Sequence, residues 1–323
     1  MKKVILLNPF IGSTNLGDAV IVNSIKSLFN DWGIDFIAEL TTHRPWNEVE
    51  RKLAKEADYF IVGGSNLLTT SLFPLAHTQW KISYKEFLLI RGKAILFGPG
   101  WRRDEGNITY FTSSLYASLM AKEVPQLVRD GVSQSRLLKT ERNVVNSSCP
   151  TLFRIDEVME NPHSTSSNTV VVALSGNIKS VEQDRLILKI AEDNFEKIKL
   201  FPQGIFDPQF PAYSDEAYYQ ELEIDFDILD GSLEAYSAEL KTGSHYFGTR
   251  LHGGIFAMQH GNPSTIIDVD TRASNIFAGT GYQVLQREQL SQGLKIERTF
   301  RRPTLDRELI DSYLESIRAL LSN

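Results

Sequence analysis

Short β-branched runs alternate with longer amphipathic segments along this chain, and the series occurs twice. Alternation of this kind is typical of a parallel sheet with crossover helices. A polar, turn-forming stretch at residues 161–168, Asn-Pro-His-Ser-Thr-Ser-Ser-Asn, separates the two series and is expected to bury little. The sequence therefore predicts an α/β fold with two Rossmann-like, doubly wound domains, at residues 1–160 and 165–302.

The individual elements follow from apolar spacing. In the first series the predicted strands are Lys3–Leu7, Asp35–Glu39, Asp58–Val62, Lys93–Phe97 and Val124–Val128, and the predicted helices are Asp18–Phe29, Trp46–Ala57, Tyr84–Arg91, Thr109–Lys122 and Val132–Thr140. In the second the strands are Thr169–Leu174, Lys197–Phe201, His245–Phe247 and Ser264–Val269, and the helices are Val181–Asn194, Leu233–Lys241, Leu251–His260 and Ala273–Ala278. Within residues 303–323, Leu305–Leu321 is apolar on one helical face, which predicts a helix that packs near the junction of the two domains. Two domains facing across a cleft would bind ligands at the carboxyl ends of their strands.

Composition excludes several classes of function. Forty acidic side chains against 34 basic ones give a net charge of −6, which disfavours a nucleic-acid-binding protein. The single cysteine, Cys149, excludes an internal disulfide and a Cys-rich zinc site, so we expect an intracellular protein. The histidines lack metal-ligand spacing, and metal catalysis is not indicated. No apolar run approaches the ~18 residues of a membrane span, so we expect peripheral membrane contact at most.

The first predicted strand runs into a glycine loop, Gly12-Ser13-Thr14-Asn15-Leu16-Gly17-Asp18. Glycines in such a turn let backbone N–H groups approach an anion at a helix N-terminus. The spacing resembles a P-loop, but Asp18-Ala19 stand where that motif needs Lys and Ser or Thr, which excludes a P-loop nucleotide triphosphatase. Two interpretations stay open and are compatible: a ligand-binding loop, and a plain turn in which Asp18 is the helix N-cap.

Two more glycine loops follow the third and fourth strands, Gly63-Gly64-Ser65-Asn66 and Gly98-Pro99-Gly100. Strands of a parallel sheet bring such loops to one edge, which would form one wall of a cleft. Candidate substrate-binding positions in the loops are Gly12, Asn15, Gly17, Asp18, Gly63, Gly64 and Ser65. Beyond the fourth strand, Arg102-Arg103 is either a solvated surface pair or faces an anion.

Basic residues stand at the ends of two later strands. Arg129 closes the fifth strand, where its planar fork would either grip a carboxylate or phosphate or pair with Asp130 or another acid. Arg250 and His252 flank a glycine-framed turn between a strand and a helix. A histidine is often only packed or solvated, but this placement favours a general acid or base beside an anion clamp.

The sequence resembles the polysaccharide pyruvyl transferase family. The resemblance runs from residue 3 to about residue 280 and rests on the loop at 12–18, Ala57-Asp58-Tyr59-Phe60-Ile61-Val62-Gly63-Gly64, and Val128-Arg129-Asp130 with Ser133. Its most specific part is Gly248-Thr249-Arg250-Leu251-His252 with Gly261-Asn262-Pro263 and Asp268-Val269-Asp270. Three positions depart from the family pattern: Ser65 replaces the third glycine of a triplet, Cys149-Pro150 replaces Asp-Pro, and Arg272 replaces a lysine.

This resemblance implies a glycosyltransferase-B-like architecture and a cytoplasmic enzyme of cell-surface polysaccharide biosynthesis, at the inner face of the membrane where the acceptor is lipid-linked. The implied reaction moves a pyruvyl group from phosphoenolpyruvate, a co-substrate rather than a cofactor, onto two hydroxyls of a sugar as a cyclic ketal. Carried over by position, His252 is the candidate general acid, and Arg129 and Arg250 bind phosphoenolpyruvate. The implied partners are this small-molecule donor and a sugar or lipid-linked saccharide acceptor.

Two other functions stay open at this point. The same two-domain architecture and an Arg-x-His turn would also suit a nucleotide-sugar-dependent glycosyltransferase, which binds a diphosphate and activates a leaving group. A non-catalytic sugar- or nucleotide-binding subunit of polysaccharide assembly is the alternative from another class. Release of phosphate from phosphoenolpyruvate, as against release of nucleotide from a sugar donor, separates the two enzymes.

Overall fold

A computed structural model describes residues 2–70, 72, 80–101, 106, 108–205, 214–223 and 225–323. The chain divides into two compact units. The first unit contains Met1–Ser13, Ile21–Phe153 and Leu305–Asn323, and the second contains Thr14–Val20 and Arg154–Thr304. Each unit is therefore built from separate stretches of sequence.

The first unit contains a parallel sheet. Its strands are β1 (Val4–Asn8), β2 (Phe36–Thr41), β3 (Tyr59–Val62), β4 (Ala94–Leu96), β5 (Gln126–Val128) and β6 (Val144–Asn146). Four are ordered β2-β1-β3-β4, while β5 and β6 pair with each other and a bridge from Phe97 to Leu127 links them to β4. The strand order reverses between β1 and β3, as in the flavodoxin-like form of the doubly wound fold.

Five helices alternate with these strands. They are α1 (Leu16–Asp31), α2 (Glu48–Glu56), α3 (Tyr84–Ile90), α4 (Tyr110–Leu119) and α5 (Gly131–Leu137). Their starts follow ordinary capping chemistry: the Asn47 side chain accepts a hydrogen bond from Glu50 N and the Glu50 side chain accepts one from Asn47 N, which fixes the first turn of α2. The core between strands and helices is apolar, with Ile5, Phe60 and Leu96 almost fully buried.

The second unit contains a six-stranded parallel sheet ordered β12-β11-β10-β7-β8-β9. Its strands are β7 (Thr169–Ala173), β8 (Lys197–Leu200), β9 (Asp227–Ile228), β10 (His245–Gly248), β11 (Ser264–Asp268) and β12 (Leu285–Gln286). Its helices are α6 (Val181–Asn194), α7 (Asp215–Glu221), α8 (Leu233–Lys241), α9 (Leu251–Gln259) and α10 (Arg272–Phe277). Read from β9, this is the Rossmann strand order, with its switch point between β7 and β10.

The last helix, α11 (Arg307–Ser322), belongs to the first unit. It buries Ile310, Leu314, Ile317 and Leu321, which repeat at the three- and four-residue spacing of one helical face. Lys2 N donates a hydrogen bond of 3.0 Å to Leu321 O, so the helix ends beside the start of β1.

The predicted α/β class with parallel sheets is confirmed, and the glycosyltransferase-B-like arrangement and the domain limits stay predictions. The stretch at 161–168 is mostly exposed, as expected, but it is fastened to the second unit. The Asn161 side chain donates a hydrogen bond of 2.9 Å to Leu240 O. Ser164 is buried, and its carbonyl oxygen is hydrogen-bonded to His245 Nε2 at 2.9 Å. The stretch therefore buries one residue, Ser164, and its place as a domain boundary stays a prediction.

Candidate active site

Glycine loops line the carboxyl edge of the first sheet, as predicted. Gly64 follows β3 with φ +70°, and Gly98 follows β4 with φ +78°. A Cβ on Gly64 would lie 2.4 Å from Ile21 Cγ2, and one on Gly98 would lie 2.2 Å from Pro150 Cδ. Both backbone conformation and space therefore require glycine. Because β1, β3 and β4 are parallel neighbours, the prediction that these loops share one edge is confirmed.

The neighbouring candidate positions divide between the two units. Gly63 packs on β1, since a Cβ there would lie 3.0 Å from Leu7 O. Gly12 turns with φ +86° near Thr41 and His43, in the first unit. Asn15 and Gly17 belong to the second unit, as does Asp18. The loop at 12–18 is thus divided between the two units.

Ser65 adopts a left-handed conformation with φ +61°. Ser65 is buried, and its carbonyl oxygen accepts a hydrogen bond of 2.8 Å from Gly100 N. Left-handed backbone costs a residue with a Cβ roughly 1–2 kcal/mol, and such strain concentrates at functional sites. The glycine that the family pattern has at this position would avoid that cost.

Arg129 lies in the loop after β5 and is 1% exposed. Its Nη2 donates to Asn66 Oδ1, and its Nε lies 3.5 Å from Asp130 Oδ2. The guanidinium lies against the backbone of Gly100, where a Cβ would come within 2.0 Å of Nε. Asp130 is at the same time the N-cap of α5, accepting from Ser133 N at 2.7 Å. The interpretation in which Arg129 pairs with Asp130 thus has support, and the one in which it grips a carboxylate or phosphate stays a prediction.

Arg129 retains capacity for an anion. Its Nε donates no hydrogen bond within the part of the chain that the structure describes. A buried donor without an acceptor costs about 1–3 kcal/mol, and a bound carboxylate or phosphate would remove that cost. The Arg102-Arg103 pair, for which a solvated surface pair and an anion contact both stayed open, lies outside the described residues.

Cys149 stands close to this arginine in the first unit and is fully buried. Thr151 Oγ1 donates to its Sγ at 3.0 Å. Burial raises the pKa of the thiol, although the positive charge of Arg129 opposes the shift. Cys149 is therefore a protonated packing residue and not a nucleophile.

In the second unit, the switch point of the sheet carries the Arg-Leu-His turn. Thr249 Oγ1 accepts from Ser175 N at 2.9 Å, which joins the loops after β7 and β10. Tyr246 Oη donates to Arg250 O at 2.6 Å and accepts from Arg250 N at 3.1 Å, so one phenol holds both backbone groups of Arg250. Open α/β sheets bind ligands at this point of the fold.

Arg250 is buried against a carboxylate that sequence analysis missed. Its Nε donates to Asp215 Oδ2 at 2.9 Å, and its Nη2 donates to Asp215 Oδ1. Asp215 also accepts from Gly176 N at 2.8 Å and Gly204 N at 2.7 Å. Burial disfavours the charge of Arg250, but Asp215 outweighs it and raises the arginine pKa. Arg250 is thus only partly available to bind an anion, because of its three guanidinium nitrogens only Nη1 lies outside the pair with Asp215.

His252 lies in the first turn of α9 and is 6% exposed. The other histidines of the unit have packing contacts elsewhere. His245 is buried on Ser164 O, and His260 is held between Ser237 Oγ and Phe256 O at 2.8 and 2.9 Å. His252 thus lies at the switch point, and its role as a general acid stays a prediction.

The segment Thr14–Val20 packs beside His252. Leu16 N donates to Gln203 O at 2.9 Å, and Ile205 N donates to Thr14 O at 2.8 Å. A Cβ on Gly17 would lie 3.1 Å from His252 Cβ, which is tighter than most Cβ contacts, so the two residues approach closely. Gly17 and His252 are thereby neighbours within one unit.

The N-cap interpretation of Asp18 is wrong. Helix α1 begins at Leu16, and Asn15 Oδ1 accepts from Gly17 N at 3.1 Å, so Asn15 occupies the capping position. Asp18 is buried in the first turn, and its N–H donates to Asn15 O at 2.9 Å. A carboxylate there still matches the positive end of the helix dipole.

Gln203 is the second residue that sequence analysis missed. It follows β8, is 4% exposed, and donates from Nε2 to Asn15 Oδ1 at 2.9 Å. The signal for it was weak, since Pro-Gln-Gly after a strand looks like plain turn chemistry. Asp215 carried no signal either, because the strand-to-helix alternation is interrupted before it.

Arg272, the third departure from the family pattern, lies at the start of α10. Its Nε is 2.6 Å from Asp270 Oδ2, and both side chains are about one third exposed. It replaces one cation with another on the same acidic turn.

Comparison with known families decides the class of this protein. The model of the polysaccharide pyruvyl transferase family matches residues 15–271, which is most of the chain. The protein belongs to the polysaccharide pyruvyl transferase family. A comparison with curated proteins finds no match.

The matched region begins at Asn15 and ends at Thr271, so it includes the candidate site residues Arg129, Arg250 and His252. Across the described ranges of this pyruvyl transferase, no helix is both long and apolar enough to cross a membrane. In the same ranges, no three His, Cys, Asp or Glu side chains come together as a metal site.

Proposed function

We propose that this protein transfers a pyruvyl group from phosphoenolpyruvate onto two hydroxyls of a sugar in a polysaccharide or its precursor. The family implies a pyruvyl transferase that acts on polysaccharide. The observation that carries the finer proposal is the turn Arg250-Leu251-His252 at the switch point of the second sheet. There Arg250, in its buried ion pair with Asp215, and His252 both lie at the N-terminus of α9.

His252 is the proton donor in this proposal. It protonates the methylene carbon of phosphoenolpyruvate, which leaves an oxocarbenium-like centre at the neighbouring carbon. A sugar hydroxyl attacks that carbon and gives up its proton. Phosphate then leaves with the electrons of the C–O bond, and a second hydroxyl closes the ketal with loss of its own proton. The products are the cyclic ketal and inorganic phosphate.

Arg129 and Arg250 bind the anionic groups of phosphoenolpyruvate. For Arg129 the support is the buried Nε, which donates no hydrogen bond within the described residues. For Arg250 it is the position at the amino end of α9, where the helix dipole also favours an anion. Since Asp215 cancels the net charge of Arg250, the helix end supplies part of the attraction.

The experiment offers the protein phosphoenolpyruvate with a panel of candidate acceptors. We expect release of inorganic phosphate together with the mass increment of a pyruvyl ketal on one acceptor. Release of a nucleotide from a sugar nucleotide, with no consumption of phosphoenolpyruvate, would instead indicate a glycosyltransferase. Ligand binding without any turnover would indicate a binding subunit.

A further inference from the structure

One buried amide of the second unit has an oxygen that the fold leaves unused. Asn15 Oδ1 accepts a hydrogen bond from Gly17 N at 3.1 Å and a second from Gln203 Nε2 at 2.9 Å. The backbone N–H of Gly17 fixes which end of the Asn15 amide faces this contact. Gln203 must therefore turn its NH₂ group to Asn15, which fixes the orientation of its own amide and directs Oε1 elsewhere.

The contacts around Gln203 show where that oxygen lies. A Cβ on Gly253 would be 3.1 Å from Gln203 Oε1, whereas a Cβ on Gly17 would be 2.8 Å from Nε2. Oε1 thus faces the first turn of α9, in which Gly253 directly follows His252. No donor among the residues with described positions reaches it, although the residue is 4% exposed.

The amide is held rigidly in this place. Gln203 O accepts from Leu16 N at 2.9 Å, and Tyr236 Oη donates to Gly253 O at 3.0 Å. The two segments that flank the Gln203 amide, at Gly17 and at Gly253, are therefore each fixed by a hydrogen bond to another part of the unit. A preorganised buried acceptor selects a ligand that brings a donor, because an unmatched polar group in a buried site lowers affinity.

We propose that Gln203 Oε1 accepts a hydrogen bond from a hydroxyl of the acceptor sugar and positions that hydroxyl beside His252. The inference rests on the proposed function and adds to it the residue that recognises the acceptor. Ionised phosphoenolpyruvate has oxygen acceptors and no donor, so the amide oxygen repels it, whereas a sugar hydroxyl donates readily. Gln203 is a positioning residue, since a carboxamide neither takes nor gives a proton near neutral pH.

The test measures sugar binding to the full-length protein by saturation-transfer NMR, with methyl hexosides of gluco, galacto and manno configuration as probes. We expect at least one of them to bind the wild type and to lose that binding in Gln203→Met, which keeps the side-chain length and removes the amide. Gln183→Met is the matched control, because Gln183 in α6 also has a buried Oε1 without a donor in the described structure.

A second variant separates recognition from folding. Gln203→Glu keeps an acceptor oxygen but loses the NH₂ group that donates to Asn15 Oδ1, so it should retain more binding than Gln203→Met, whereas equal loss in the Glu and Met variants would assign Gln203 a merely structural role. Identical sugar signals in wild type and Gln203→Met, including no signal in either, would overturn the inference.

Kinetics then place the residue within the proposed reaction. With an acceptor that the wild type uses, Gln203→Met should raise the acceptor KM about tenfold and leave the phosphoenolpyruvate KM unchanged, as expected for one lost hydrogen bond. A rise in the phosphoenolpyruvate KM instead would contradict it. Absence of pyruvyl transfer by the wild type would refute the proposed function, while the binding comparison would still decide the role of Gln203.

Discussion

At the scale of single residues, the buried pair with Asp215 gives the proposed substrate-binding residue Arg250 a role in folding as well. Arg250→Ala would leave the Asp215 carboxylate buried with two backbone N–H donors and no cation. Breaking such a pair costs about 3–5 kcal/mol. We therefore expect Arg250→Ala to lower the free energy of unfolding by that amount, measured by urea denaturation. Unchanged stability would show that Asp215 finds another partner.

His252 should respond differently, because its proposed role is proton transfer. Removing a positioned general acid lowers the rate by about 10²–10⁴-fold. We expect His252→Ala to lower kcat by that factor with little change in the KM for phosphoenolpyruvate. His260→Ala, at the other end of α9, is the control and should retain kcat. Near-normal turnover in His252→Ala would remove His252 as the acid.

Gly100 provides a test of Arg129 that keeps its charge. A Cβ on Gly100 would overlap the guanidinium, at 2.0 Å from Nε and 2.5 Å from Cζ, so Gly100→Ala must displace Arg129. We expect the KM for phosphoenolpyruvate to rise about tenfold, the effect of one lost charge-assisted hydrogen bond of about 1.4 kcal/mol. Gly131→Ala is the control, since its Cβ would meet nothing within 4 Å. Equal constants in the two variants would exclude Arg129 from the site.

Sequence predicted these residues unevenly, for a physical reason. His252 and Arg250 were predicted because a strand-to-helix turn framed by glycines fixes where their side chains project. Asp215 and Gln203 were missed because their roles depend on partners far along the chain, Arg250 and Asn15. Such contacts leave no local periodicity.

At the scale of elements, length decided what could be predicted. The helices at Val181–Asn194 and Leu233–Lys241 match the structure to the residue, because each has several turns of amphipathic pattern. Strands β9 and β12 have two residues each and were missed. So few residues show no periodicity, and only pairing with neighbours makes them strands.

His245 in β10 is hydrogen-bonded to Ser164 O, in the segment after Glu160, and we expect this contact to be sensitive to acid. Burial lowers the pKa of His245 from its ordinary value of 6.5, although its hydrogen bond to Ser164 O opposes the shift. The unfolded chain then binds the proton more readily, so stability is complete above about pH 6.5 and falls as the pH drops toward the lowered pKa. We expect the Tm to fall in this range, and to fall less in His245→Gln.

The partly buried His260 contributes to the same acid sensitivity. Burial also lowers the pKa of His260, so part of the acid sensitivity should remain in His245→Gln. Parallel curves of Tm against pH for the variant and the wild type would contradict the role of His245.

At the scale of the whole molecule, the two units are not two halves of the sequence. A fragment of residues 1–160 lacks α11, whose four buried apolar side chains contribute about 1.5–3 kcal/mol each. Against a typical domain stability of roughly 5–15 kcal/mol this is decisive. We expect residues 1–160 alone to unfold without a cooperative transition in urea.

The matched fragment joins residues 1–153 through a short linker to residues 305–323, so it contains the whole first unit together with the segment Thr14–Val20. It should unfold cooperatively, with its near-ultraviolet circular dichroism intact before the transition. Equal cooperativity of the two fragments would show that α11 contributes nothing essential to the first unit.

The buried thiol of Cys149 makes this chain a ready background for spectroscopic labels. As the single cysteine, fully buried and with a raised pKa, it should react slowly with maleimides and methanethiosulfonates. Cysteines introduced at exposed Lys85 and Ser166, one in each unit, would then carry spin labels selectively. Distances between the two probes, measured by pulsed electron resonance with and without phosphoenolpyruvate, would report any movement of the units during the catalytic cycle.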